Sequence, residues 1–188
     1  LGLALNIRNR LVMEALDEPG LFIEVNGEGK DTIPRDETNF ILRAAERIFA
    51  LVGRRPQGLK LVLDNAIPLA RGLGSSGAAA VAGMACANAL TGSALTENEL
   101  LQEAADFEGH PDNVVPSMCG GFTVSMWLSE PAGKHLLYDA IQVSGNLSVA
   151  AAVPAFTLET KKARQVLLGS YPKHVVVHNL ARASWAVR

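Results

Sequence analysis

Residues 68–83 read Pro68-Leu-Ala-Arg71-Gly72-Leu73-Gly74-Ser75-Ser76-Gly77-Ala-Ala-Ala-Val-Ala-Gly83. Three glycines within six residues let the backbone adopt conformations closed to other residue types, and let N–H groups approach a ligand closely. Ser75 and Ser76 fall where a helix should begin. Unsatisfied N–H donors and the positive end of the helix dipole face outward there. That arrangement binds anions, phosphate above all. A plain Gly-Ser turn with a serine cap is the simpler alternative. The strand-like run before the loop and the alanine-rich helical run after it favour phosphate.

The type of phosphate loop narrows the chemistry. A Walker loop needs a lysine after its last glycine, and none is present. Gly72-x-Gly74-x-x-Gly77 matches the dinucleotide string. The acidic residue expected about twenty positions on, after a second strand, is missing, because residues 78–92 read as helix. A second polar cluster follows at Glu108-Gly-His110-Pro-Asp112-Asn113-Val-Val-Pro116. Phosphoryl transfer needs a phosphate cradle, a magnesium ligand and a means of placing the acceptor hydroxyl. Magnesium takes one or two carboxylates with phosphate oxygens. Glu108 suits the carboxylate and the Ser76 hydroxyl a second ligand. As an ordinary residue at a helix C-terminus, Glu108 would oppose the helix dipole, so a compensating partner is expected. Asp112 is a formal candidate for a base.

The string Pro68-x-x-x-Gly72-Leu73-Gly74-Ser75-Ser76-x-Ala resembles the ATP-binding motif of the GHMP kinases, with Gly77 where that family usually has alanine. Glu108 to Pro116, followed by Gly120-Gly121, is similar to the homoserine kinase branch, as is Thr160-Lys-Lys-Ala163-Arg164-x-x-Leu167. Leu1-Gly-Leu-Ala-Leu5 resembles the strand after the family's first motif, Pro-x-x-Asn-x-Gly-x-Gly-x-Asp. The resemblance implies a ribosomal protein S5 domain 2-like domain over residues 1–153. A truncated ferredoxin-like C-terminal domain over 154–188 would follow it. It implies ATP and Mg2+ as cofactors, L-homoserine as substrate and a place in threonine biosynthesis. Pro68, Arg71, Gly72, Leu73, Gly74, Ser75, Ser76 and Gly77 would hold the nucleotide, and Ser76 and Glu108 the magnesium. His110 and Asn113 would lie at the homoserine, and Arg164 would pair with its carboxylate through the bidentate guanidinium fork. Asn39 would reach the adenine, or simply cap its helix. Homoserine kinases place the acceptor hydroxyl without a dedicated base, a role that falls to Asn113. Asp112 would then hold the loop together. Other functions that fit are a mevalonate- or shikimate-type GHMP kinase and a nucleotide- or metabolite-binding protein without catalysis.

The elements that must position these groups are legible in outline. Leu21 to Val25 and Leu59 to Leu63 read as strands, the second alternating apolar and polar residues into the phosphate loop. Residues 1–16 favour strand. Asn39 to Val52 is amphipathic, and Gly53 supplies a stop. Thr96 and Glu99 form a capping box for a helix to Phe107. Phe122 to Leu128, Leu136 to Val143 and Leu147 to Val153 read as strands. Thr160 caps a helix over 161–168, and Pro172 opens the last one. A domain boundary is expected near Pro154. Strands and helices mix without a strict βαβα rhythm, so the fold class is α+β.

Composition sets bounds. The 188 residues are 48% apolar and 19% charged with net charge −2, ordinary for a globular protein and without a basic surplus for nucleic acid. No run reaches the length of a membrane span, and the opening lacks a secretory pattern. A cytoplasmic location is expected, or a plastid for a plant source. Cys86 and Cys119 lack metal spacing, and His174 and His178 lack the third ligand that zinc needs. The opening without Met and the close inside a helical run suggest a fragment. It lacks the family's first motif and its C-terminal glycine motif, so it is expected to be inactive alone. A homodimer is among the assemblies open to the full-length protein.

Overall fold

The computed structural model of the chain describes residues 1–131, 133–146, 148–153, 156 and 169–186. Among them run strands β1 (Gly2–Leu3), β2 (Arg10–Leu16), β3 (Gly20–Gly27), β4 (Gly58–Asn65), β5 (Phe122–Glu130) and β6 (Gly133–Ile141). The helices are α1 (Phe40–Val52), α2 (Ser75–Leu90), α3 (Glu97–Glu108), α4 (Val114–Cys119) and α5 (Lys173–Ala186).

β4 is the centre of the first sheet, of order β2-β4-β3. Leu59, Leu61 and Leu63 alternate inward and are almost fully buried, while Lys60, Val62 and Asp64 are half-exposed on the other face. β2 pairs antiparallel with β4 from Arg10↔Asp64 to Leu16↔Gly58. β3 pairs parallel with it, which requires a crossover, and α1 is that crossover. The second sheet has order β1-β5-β6 and is antiparallel. Its edge, β1, pairs Gly2 with Thr123 and Leu3 with Phe122.

α1 is set by its two ends. Asn39 Oδ1 accepts from the Ile41 and Leu42 N–H groups at 2.9 and 3.2 Å. Gly53 stops the helix in the left-handed conformation, φ 70°. Between them Ile41, Leu42, Ala44, Ala45, Ile48 and Phe49 form a buried face. α2 lies against that face. Its small residues let the two backbones approach until a Cβ added at Gly83 would stand 2.4 Å from the Ile41 carbonyl oxygen. α3 begins at the Thr96–Glu99 capping box and buries Leu100, Leu101, Ala104 and Ala105. These join β4, α1, α2 and Val114–Val115 of α4 in one core.

A charged cluster ties three elements at the rim of this core. From α1, Arg47 Nε donates to Glu103 Oε2 at 2.5 Å and Nη2 to Asp106 Oδ2 at 2.8 Å, both on α3. Lys134 of β6 also pairs with Asp106, and its ammonium lies 4.4 Å from the Trp127 ring centroid. α3 docks on β6 again through Gln102, whose Oε1 accepts from the Leu136 N–H at 2.8 Å.

Two features differ from the sequence reading. Residues 148–153 carry no regular structure. No strand pairs with them among the described residues, and their alanines favour strand weakly. α4 was not expected, because Pro116 reads as punctuation. It sits in the first turn, where its missing N–H is not needed. The segment 161–168, its Thr160 cap, Arg164 and the boundary at Pro154 lie outside the described residues.

Replacing Gly83 by Ala should destabilise the protein by about 2 kcal/mol, since the new methyl meets backbone rather than a yielding side chain. Chemical denaturation measures it, and a loss under about 0.5 kcal/mol would mean that α1 and α2 separate at little cost. The Asp106 carboxyl is held below its ordinary value, first by the Lys134 ammonium and then by Arg47, against partial burial. A lowered folded-state pKa adds stability above the ordinary carboxylate value, and that stability is lost as pH falls through the lowered one. Asp106→Asn should therefore cost about 1 kcal/mol at neutral pH. The difference from wild type should close as pH drops below the usual carboxylate range. An unchanged difference at low pH would contradict the pairing.

Candidate active site

β4 ends at Asn65, and the chain then turns through residues 66–74 before α2 begins at Ser75. Ala70, Gly72 and Gly74 take positive φ values of 53°, 75° and 72°. Left-handed residues spaced in this way turn successive N–H groups toward one concavity, the backbone form of an anion site. Gly74 is the N-cap of α2 and, as a glycine, supplies no side-chain cap to the first N–H groups of the helix. They are the orphan donors of a helix N-terminus. Ala70 is the one residue of the three with a Cβ, so its conformation stores modest strain at the centre of the loop.

The α3–α4 connection closes on this helix end. Glu108 is the last residue of α3, with its side chain only 8% exposed. The Ser76 hydroxyl donates to Glu108 Oε1 at 2.5 Å. A carboxylate opposed by its own helix dipole thus meets the positive end of another helix. Gly109 ends α3 at φ 86°. Beyond it, His110 Nε2 stands 3.8 Å from Glu108 Oε1, and His110 Nδ1 stands 2.6 Å from Asp112 Oδ1.

Asn113 is wedged against the loop itself. A Cβ at Gly74 would lie 2.9 Å from Asn113 Oδ1, and one at Gly77 would lie 3.0 Å from Asn113 Cβ. Gly74 is therefore favoured by both contact and conformation, and Gly77 by contact alone. The departure at Gly77 from the alanine of the motif has a physical counterpart, because a methyl there would press on Asn113. β1 flanks the same segment from the other side. A Cβ at Gly2 would lie 2.3 Å from the Asp112 carbonyl oxygen.

A cleft of about 640 Å³ opens in front of the loop. Pro68, Arg71, Gly72, Leu73, Gly74, Ser75, Ser76, Asn39, Asp112 and Asn113 all border it. Glu108 and His110 stand behind that wall, joined to it through Ser76 and Asp112. Gly77 packs on Asn113 instead of facing the cleft. Asn39 is 1% exposed, and its amide is engaged as a cap and by donation from Nδ2 to the Pro34 carbonyl at 2.7 Å. Arg164 lies outside the described residues.

The cleft also has apolar lining, including Ile33, Pro34, Phe40 and Leu63. Nothing in the sequence marked these as site residues, because they belong to no motif. Asn9 and Asn65 also line the cleft. Asn65 carried one overlooked signal, a carboxamide at the end of a strand that feeds a loop. Asn9 carried none.

Ser76 and Glu108 place two hard oxygen donors side by side at the helix N-terminus, a donor set that fits magnesium. Among the described residues no group of three His, Cys, Asp or Glu side chains could hold a metal by protein ligands alone. A metal here would need phosphate oxygens or water to complete its shell. No helix among the described residues is long and apolar enough to cross a membrane.

Residues 39–121 match the family described as the GHMP kinases N terminal domain. A homoserine kinase of Clostridium botulinum is 39% identical over 98% of this chain and 59% of its own length. One from Moorella thermoacetica is 40% identical over 98% of this chain and 60% of its own length. The chain thus spans about three fifths of the length of these curated relatives. The crystal structure of homoserine kinase from Cytophaga hutchinsonii superposes with a TM-score of 0.74 at 26% identity, covering 94% of this chain and 56% of that one. The matched residues run from the cap of α1 to the end of the Glu108–Asn113 segment's short helix. The glycine turn before α2 and that segment, closed on each other, both fall inside the stretch that matches the GHMP kinases N terminal domain.

Proposed function

We propose that the protein to which this chain belongs is an ATP-dependent homoserine kinase, which transfers the γ-phosphoryl group to the hydroxyl of L-homoserine. The product is O-phospho-L-homoserine, on the route to threonine. The observation that carries this is the closure of the Glu108–Asn113 segment on the phosphate loop, through Ser76–Glu108 and through Asn113 against Gly74 and Gly77. An acceptor held by that segment lies beside a phosphate held by the loop.

In this assignment the N–H groups at the start of α2 and the glycine turn hold the triphosphate, with Pro68, Arg71 and Leu73 shaping the loop. The base lies toward Ile33, Pro34 and Phe40. Asn39 serves that end by capping α1 and holding the Pro34 carbonyl, and it borders the space the adenine would fill. Ser76 and Glu108 would hold Mg2+, which when bound neutralises charge on the β- and γ-phosphates. Asn113 on the cleft wall, with His110 just behind it against Asp112, lies at the homoserine, and Arg164 pairs with its carboxylate. Asn113 places the hydroxyl in line, and catalysis is chiefly orientation, which is worth about 7–11 kcal/mol in favourable cases. Asp112, beside His110 Nδ1, keeps the segment in shape and does not act as base. We assign residues 1–153 to an S5 domain 2-like nucleotide-binding domain and 154–188 to the start of a ferredoxin-like C-terminal domain. The protein is assigned to the cytoplasm.

The intact protein should form ADP only when L-homoserine is supplied. A coupled assay with homoserine, mevalonate, galactose and shikimate tests this. Strong turnover of one of the other three with none on homoserine would overturn the assignment. Glu108→Gln should lower activity roughly 10–100-fold at limiting magnesium and recover in part as magnesium rises. Wild-type rates at limiting magnesium would remove Glu108 from the metal.

A further inference from the structure

We infer that Asn9 is a positioning residue for the phosphate loop, its side chain standing in for the next rung of the β2–β4 ladder. This rests on reading the cleft as a nucleotide site. The regular pairing of these strands ends at Arg10↔Asp64. One residue further out, Asn9 lies opposite the point where the chain leaves the sheet for the loop. Its Oδ1 accepts from two consecutive backbone donors, Ala66 N–H at 3.0 Å and Ile67 N–H at 3.2 Å. Asn65 Oδ1 approaches the same Ile67 N–H at 3.3 Å.

The effect is to clamp residues 66 and 67 from both sides. Asn65 is 4% exposed, and it is itself anchored twice to the neighbouring connection. Its Nδ2 donates to the Glu28 carbonyl at 2.8 Å, and its carbonyl accepts from the Glu28 N–H at 2.8 Å. Ile67 is 6% exposed, so a partner for its amide matters. The next residue, Pro68, has no N–H. The direction in which the chain sets out toward Gly72 and Gly74 is thus fixed at 66–67, and Asn9 holds both amides there. Asn9 also borders the cleft, so its loss acts directly on the cradle. A misplacement of the cradle by about 1 Å can cost on the order of 100-fold in rate. It would act on the nucleotide, while the His110–Asn113 segment stays anchored by its own contacts.

The test uses the intact protein and three readouts. Binding of a fluorescent ATP analogue is measured first, without homoserine. KM for ATP and KM for homoserine follow. Asn9→Ala should weaken nucleotide binding and raise KM for ATP roughly 10-fold, with KM for homoserine within about twofold. Asn9→Asp keeps the acceptor oxygen and should restore most of the loss. Unchanged nucleotide affinity in Asn9→Ala, or both KM values rising together, would overturn the assignment. So would Asp behaving like Ala. If the wild-type protein binds no nucleotide, the proposed function falls and this inference with it. If the wild type binds and Asn9→Ala binds equally, only this inference falls. Should Asn9→Ala fail to fold, hydrogen exchange in the wild type decides. Slow exchange at Ala66 and Ile67 before nucleotide is added supports the clamp, and exchange at the rate of an open loop overturns it.

Discussion

The contact between Ser76 at the start of α2 and Glu108 at the end of α3 is the point on which the rest of the architecture converges. Neither group would be comfortable alone. The N-terminus of α2 offers donors with no side-chain cap, and Glu108 places a nearly buried carboxylate at the unfavourable end of its own helix. Meeting at 2.5 Å, each answers the need of the other. Beside this contact, the glycines at 74 and 77 let Asn113 seat closely against the turn. The complementary deficits of two helix ends thus set a hydroxyl and a carboxylate side by side at the start of α2.

The spacing of the helices is what brings those two ends together. α2 buries mostly small residues, Gly77, Ala80, Gly83 and Ala87 around Met84, where α1 buries Ile41, Ile48 and Phe49 beside Ala44 and Ala45. This interlocking sets the depth at which α2 sits and therefore where its N-terminus emerges. α3 is held to α1 by Arg47 and to β6 by Gln102, which sets where its C-terminus emerges. Core packing and surface charge thus act on the same pair of coordinates from opposite sides.

Most of this was legible where its cause is local. α1 could be read from its apolar spacing, the cap at Asn39 and the stop at Gly53, all within fifteen residues. α3 announced itself through Thr96 and Glu99. The turn before α2 was legible because its glycines fall where the chain takes positive φ and its serines where the helix begins. α4 was hidden, since six residues show no helical period and Pro116 suggests a break. The 148–153 run misled because apolar residues imply burial but do not supply a partner strand. Glu108 and Ser76 were expected at one site, but the direct bond between them was not legible, as 32 positions separate them. Asn9 was beyond reach, because its role depends on amides 57 and 58 positions away that no local pattern connects to it.

β1 shows what such separation costs in time. Its two residues pair with Thr123 and Phe122, and the Thr123 hydroxyl, 121 positions on, reaches back to the Gly2 carbonyl. At roughly 5–20 residues per second of synthesis, β1 waits about 6–24 s on the ribosome for its partner. Through that interval the β2–β4–β3 sheet can assemble with α1, its contacts all lying within the first third of the sequence. The strand that buttresses the Asp112 backbone settles late, after the framework it leans on. Maturation of the cleft is then timed by elongation past β5, and a pause in translation upstream of that strand would prolong the unpaired state of β1 without disturbing the first sheet.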